Sequence, residues 1–191
     1  MSIPIFQTQR LTLRPFDVSD APVVQRLAGA PEVALTTQNI PHPYENGMAE
    51  EWIATHASGW KSRQLLILAV TNEPDGLVGA VGLHLNPEHH RGELGYWIGL
   101  SFWNRGYATA ASAALLEFGF EALALNRIQA RHMTRNPASG RVLQKLGMKA
   151  EGVHRQYALI RGQFEDVAMY AVLKDEARHG TKWRTSIYRP T

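Results

Sequence analysis

Leu11 and Leu13 alternate with Thr12 and Arg14, the period-two pattern of a strand with one wet face. From Asp17 to Ala30 the spacing turns helical, with Val18, Ala21, Val24 and Leu27 sharing a stripe behind a polar start. Pro41-His42-Pro43 interrupts, and a second helix is predicted from about Met48 to Trp60. Leu65 to Thr71 is a continuous apolar strand; Asn72-Glu73-Pro74-Asp75-Gly76 is a turn, and Leu77 to Leu85 its hairpin partner. Arg91 to Leu100 reads as the fourth strand, Arg105 to Leu123 as the central helix and Arg127 to Met133 as the fifth strand. A short helix comes next, then Lys149 to Leu159 and Phe164 to Leu173 form a hairpin across Ile160-Arg161-Gly162-Gln163. The order predicts an α/β (α+β) domain over 1–175, a mixed seven-stranded sheet with helices on both faces. Residues 176–191 read as a solvated tail.

Two segments carry chemistry. From Leu94 to Ala111 the chain reads as strand, turn and a helix start built of small residues. The first amides of a helix lack intrahelical acceptors and the dipole adds roughly half a positive charge, so a phosphate can dock there without a lysine. Thirty residues on, Asn136 is placed as a helix cap, Pro137 as the first helical residue and Gly147 as the stop.

Together these segments resemble the GNAT superfamily of acyl-coenzyme A N-acyltransferases. Its pyrophosphate loop is written Q/R-x-x-G-x-G/A, and Trp103, Gly106 and Ala108 fall on it, the first as a departure. The tryptophan and the N-x-x-S spacing of Asn136 and Ser139 are similar to the branch that acetylates N-termini of ribosomal proteins. The resemblance runs from Gln9–Phe16 to Asp166–Leu173. It implies a mostly antiparallel sheet whose fourth and fifth strands splay into a V, and acetyl-coenzyme A as cosubstrate with no metal. Backbone around Ile98, Gly99 and Leu100 would hold the pantetheine, and Asn104, Arg105, Gly106, Tyr107, Ala108 and Thr109 the pyrophosphate. Asn136 would orient the pantetheine amide, with Arg141 and Lys145 as phosphate contacts. Many members carry a tyrosine acid where this chain has Leu143, and Ser139 then stands as the proton donor to the leaving thiolate. Glu93 is the candidate base, with Glu165 and Asp166 as alternatives; Ala158 occupies a place where some members carry a carboxylate.

Composition narrows the rest. The chain has 191 residues, 45% of them hydrophobic, enough for one buried core. It has no cysteine, which removes thiolate chemistry and makes a cytoplasmic location the default. No apolar run approaches a membrane span and no signal-peptide order opens the chain. A formal net charge of +3 is too small and too dispersed for nucleic acid, apart from Lys182-Trp183-Arg184 near the end. Glu88-His89-His90 matches no metal spacing. His132 and His154 are expected as buried, hydrogen-bonded strand residues, and Trp52 and Trp60 as core. An α-amine of pKa about 7.8 is roughly one third neutral at pH 7.5 and a lysine amine only about 0.1%, so a weak base suits an N-terminal amine. The reading is therefore an N-acetyltransferase working through a ternary complex on a protein N-terminus. A small-molecule amine is the second acceptor class, and a non-catalytic coenzyme A binding module the rival class. The terminal hairpin offers a surface for a homodimer.

Overall fold

A computed structural model of the chain describes residues 2–180 and 186–188. In order it has strands β1 (Ile5–Gln7) and β2 (Thr12–Arg14), helices α1 (Ala21–Ala28), α2 (Pro31–Leu35) and α3 (Met48–Lys61), and the hairpin β3 (Leu65–Asn72) and β4 (Gly76–Asn86). The chain continues through β5 (Arg91–Ile98), α4 (Tyr107–Glu121), β6 (Arg127–Met133), α5 (Pro137–Lys145), β7 (Lys149–Ile160), β8 (Gln163–Leu173), α6 (Lys174–Gly180) and β9 (Ser186–Tyr188). One sheet runs β7-β8-β6-β5-β4-β3-β2-β1-β9.

Nine strands stand where seven were expected. The segment before Thr8 doubles back on β2, because Thr8 Oγ1 accepts the Leu11 amide at 2.9 Å and closes a tight turn. Ser186–Tyr188 adds the far edge by pairing with β1, and α6 continues through the boundary placed at residue 175. The basic cluster Lys182-Trp183-Arg184 lies outside the described residues. The helix expected over 17–30 divides: Asp17 and Asp20 form a capping box around the 3-10 turn Val18–Asp20, and α1 starts after it. Arg14 grips Asp20 with two bonds of 2.7 and 2.8 Å, which ties the start of α1 to β2. The short helix α2 escaped the periodicity, being too brief to show one.

The sheet separates two apolar layers. Under α4 and α5 lie Leu66, Leu68, Leu83, Leu94 and Ile128, with Ala111, Leu115, Leu143 and Leu146 from the helices. The other face carries smaller residues, Ala69 and Ala80 beside Trp97, beneath Val24 and Ala28 of α1 and Ile53 of α3. No described helix is long and apolar enough to cross a membrane.

The splay has a plain topological cause. Strands β5 and β6 run parallel and pair only from Arg91↔Arg127 to Leu94↔Ala130. Beyond that, β5 stays with β4 as far as Gly79↔Ile98, and β6 stays with β8 as far as Met133↔Val167. Each strand keeps to its antiparallel neighbour, and the sheet parts between them.

Candidate active site

The gap opens into a cavity of about 820 Å³ that reaches both faces of the sheet. Side-chain alternation sorts the residues around the parting of β5 from β6. Tyr96 and His132 point to the α4–α5 face; Glu93, Gly95, Trp97 and Arg131 share the α1–α3 face.

On the first face, α4 begins at the cavity wall. Gly106 is its cap residue, in the left-handed region at φ 78°, with no side-chain cap bond, and a Cβ built there meets nothing within 4 Å. Asn104 is also left-handed, at φ 62°. The amides of Tyr107, Ala108 and Thr109 are thus first-turn donors without a protein cap. Asn104, Gly106, Tyr107, Ala108 and Thr109 line the cavity. Tyr107 is buried, accepts a short hydrogen bond from Asn72, and lies 5.1 Å beneath the Arg10 guanidinium, which fixes the helix start to the β3–β4 turn.

Several expected contacts are placed differently. Arg105, Gly99 and Leu100 are not among the lining residues. The Arg105 guanidinium meets Asp75 at 3.3 Å and lies 5.4 Å from the Phe102 ring. The Gly99 amide donates to Val78 O at 2.9 Å, within the β4 ladder. Ladder alternation then turns the polar groups of Ile98 and Tyr96 toward the gap. Ile98 lines the cavity, but its carbonyl accepts from Trp103 Nε1 at 2.7 Å, so the tryptophan of the loop closes the end of the strand.

Helix α5 faces the same gap. Asn136 caps it, its Oδ1 accepting the Ser139 amide at 3.2 Å, while its Nδ2 donates to Thr36 O at 3.2 Å. Each end of that side chain thus holds one protein partner, with a second N–H and a second lone pair left over, and Asn136 borders the cavity with Ser139 and Arg141. Ser139 Oγ lies 2.7 Å from Tyr96 Oη. Burial pushes the Tyr96 phenol up to about 12, so it keeps its proton across the working range. Beneath α5, His132 Nδ1 is 2.8 Å from Met133 O, and a carbonyl can only accept, so Nδ1 carries the proton. Its Nε2 has no partner among the described residues and sits where a Cβ on Gly140 would come within 2.9 Å, so Gly140 lets helix and strand approach. His132 is buried as expected; His154 is instead exposed on the edge strand β7, its ring centroid 5.0 Å from that of Tyr157.

On the second face, Glu93 Oε1 is 3.0 Å from Arg131 Nε, and Oε2 accepts from Gln129 Nε2 at 3.1 Å. The alternative carboxylates are elsewhere: Glu165 pairs with Arg135 at 2.7 Å and Asp166 accepts the Gln156 amide at 2.7 Å, and neither lines the cavity. Tyr44, Glu51 and Trp52 form the far wall. Trp60 is core; Trp52 is only half-buried, packed edge-on against Phe16 and His56. His56 is buried with neither nitrogen paired among the described residues, and burial pushes its pKa down to about 4. The end of α2 and the segment after it border the cavity, held by Arg135 on Leu35 O at 2.7 Å and by Arg161 on Ala34 O and Ile40 O at 2.8 Å each.

Residues 10–149 match the family model described as an acetyltransferase (GNAT) domain. The chain belongs to the GNAT acetyltransferase family. It is 33% identical over 174 residues to the uncharacterized N-acetyltransferase p20 of Bacillus licheniformis, covering 88% of this chain and 96% of that protein. Over a shorter stretch, 44% of this chain and 43% of the relative, it is 34% identical to the [ribosomal protein uS5]-alanine N-acetyltransferase of Escherichia coli. Among solved structures, the ribosomal L7/L12 α-N-protein acetyltransferase RimL in complex with coenzyme A superposes with a TM-score of 0.82 at 19% identity, covering 90% of this chain and 99% of that one. The chain is an acetyl-CoA-dependent N-acetyltransferase of the GNAT type. Tyr96 and Arg131 line the cavity without having been singled out from the sequence: each reads as one more residue of a strand, and the partner of Tyr96 lies 43 positions away.

Proposed function

We propose that the protein acetylates the α-amine of a peptide or protein N-terminus by direct attack within a ternary complex. The observation that carries this is the single cavity through the parted sheet: the uncapped start of α4 opens on one side, Glu93 and Arg131 on the other, and Ser139 with Tyr96 stands at the gap. Bound there, acetyl-CoA supplies the thioester carbonyl and a thiolate leaving group. The Tyr107, Ala108 and Thr109 amides take the pyrophosphate. Gly106 fits that task, since its bare α-carbon leaves room on the cavity side.

Ser139 is a hydrogen-bond donor to the departing sulfur. Its hydroxyl is backed by Tyr96 and by no base, which suits donation and not nucleophilic attack. Glu93 is the carboxylate beside the gap and draws the incoming amine. The α-amine preference is supported by the neutral fraction such an amine offers near pH 7.5 and by the Trp103, Asn136 and Ser139 pattern. The uS5-alanine acetyltransferase of Escherichia coli among the relatives points the same way.

Release of coenzyme A from acetyl-CoA, measured with peptides of free and blocked N-terminus, lysine-only peptides, polyamines and aminoglycosides, tests the reading. Release with free-N-terminus peptides alone is the expected result. Release confined to polyamines or aminoglycosides overturns the acceptor assignment, and tight binding without any release overturns the catalytic one.

A further inference from the structure

Gly95 is exposed although it lies in the interior of a nine-stranded sheet, and a Cβ there meets nothing within 4 Å. Its sheet partner Gly82 is different: a Cβ on Gly82 would press Leu66 O at 2.8 Å, so packing explains that glycine. Packing does not explain Gly95. The bare strip lies on the α1–α3 face between Glu93 and Trp97, one step past the last β5–β6 pair.

Arg131 occupies the corresponding step on β6. Its Nε is held by Glu93, its Nη1 reaches Tyr157 Oη at 3.4 Å, and its Nη2 has no partner among the described residues. The side chain is 30% exposed and borders the cavity. A guanidinium is a planar fork, so pairing Nε with Glu93 leaves the outer edge, Nη1 and Nη2, for a second partner. The Glu93 carboxylate likewise retains acceptor capacity, since the hydrogen bond from Gln129 and the ion-pair contact with Arg131 leave about half of its four lone-pair sites. A negative and a positive group therefore stand side by side around a strip with room for a ligand.

We infer that Glu93 and Arg131 form a clamp for an α-amino carbonyl compound, Glu93 taking the amine and Arg131 the carbonyl or carboxylate oxygen on the adjacent carbon, with the α-substituent over Gly95. This rests on the α-amine reading above and deepens it. The positive fork disfavours polyamines and aminoglycosides, whose second cation would meet it, and favours acceptors with an oxygen on the carbon next to the amine-bearing one.

The test compares alaninamide with isopropylamine, the same amine without its carbonyl group, at equal concentrations of neutral amine and saturating acetyl-CoA. In the unaltered protein alaninamide is the better acceptor. Arg131→Gln lowers the ratio of the two rates by about ten- to a hundredfold, as expected for losing a hydrogen bond to a charged group. Gly95→Ala shifts preference from alaninamide toward glycinamide. A merely structural Arg131 would lower both rates together, and an unchanged ratio overturns the clamp while leaving the α-amine reading intact. Turnover of polyamines with no α-amino acceptor overturns both.

Discussion

Two helix N-termini face the same cavity and are built in opposite ways. Helix α4 starts from Gly106 with no side-chain cap, so the amides of Tyr107, Ala108 and Thr109 remain for a ligand. Helix α5 starts from Asn136: Pro137 has no amide hydrogen and the Ser139 amide is taken by Asn136 Oδ1, which leaves Ala138 alone. An uncapped start is not by itself a site, since α3 also begins from a left-handed glycine, Gly47, without a side-chain cap; the α4 start differs in that its first-turn residues line the cavity. A capped start holds its side chains in place. On the proposed function, α4 holds the cofactor, while α5 holds Ser139 against Tyr96.

The largest effect is expected at the open terminus. Gly106→Val places a β-branched residue at φ 78° and fills the empty side of the loop. KM for acetyl-CoA should rise on the order of 100-fold, equivalent to roughly 2.7 kcal/mol. Calorimetric titration with coenzyme A reads the loss directly, and a value within threefold of the parent would show that this terminus does not hold the cofactor.

Next comes the pair that α5 positions. Ser139→Ala and Tyr96→Phe should each lower kcat by on the order of 100-fold, the low end for a positioned donor, with KM for acetyl-CoA little changed. Because the two hydroxyls act in series at 2.7 Å, the double variant should be no slower than the worse single one. Multiplying losses would show independent roles. A synthetic acetyl thioester with a more acidic thiol needs less help in leaving and should recover much of the lost rate in both single variants.

Asn136 separates the two helices most cleanly. Resemblance places it on the pantetheine, whereas its bonds go to Ser139 and Thr36. Asn136→Ala should cost about 1 kcal/mol of stability, the usual worth of a cap, visible as a lower Tm, with a KM for acetyl-CoA within about threefold of the parent. A large rise in that KM at unchanged Tm would return Asn136 to the cofactor.

The same contrast shows what could be read from the residues alone. The α4 start was legible because its signals are adjacent: a strand, a turn with Gly106, then Ala108, Ala110 and Ala111. The cap at Asn136 was equally local. Tyr96 against Ser139, Arg131 against Glu93 and the Gly99 amide on Val78 were not, since each joins elements whose spatial order the periodicity leaves open. The parting of β5 from β6 depends on β4 and β8 as neighbours, a fact of strand order. The short strand β1 was missed because three residues are too few for a pattern, and Trp103, read as a departure from the loop motif, proves to cap Ile98 O.

Arg105 should show the smallest effect, and it bears most closely on whether α4 suffices alone. It sits inside the loop, where a cation reads naturally as a phosphate ligand. Its guanidinium instead pairs with Asp75, at side-chain exposures of 46% and 29%, and does not line the cavity. Exposed pairs of this kind contribute about 0–1 kcal/mol and weaken with salt. Arg105→Ala should therefore change KM for acetyl-CoA by less than about threefold at physiological salt, with a Tm change of a degree or two. A tenfold rise that shrinks as salt is added would mean that the side chain leaves Asp75 for the phosphates on binding. In that event the amides of α4 need a cation beside them, and the division of labour between the two helix starts is less complete than their caps suggest.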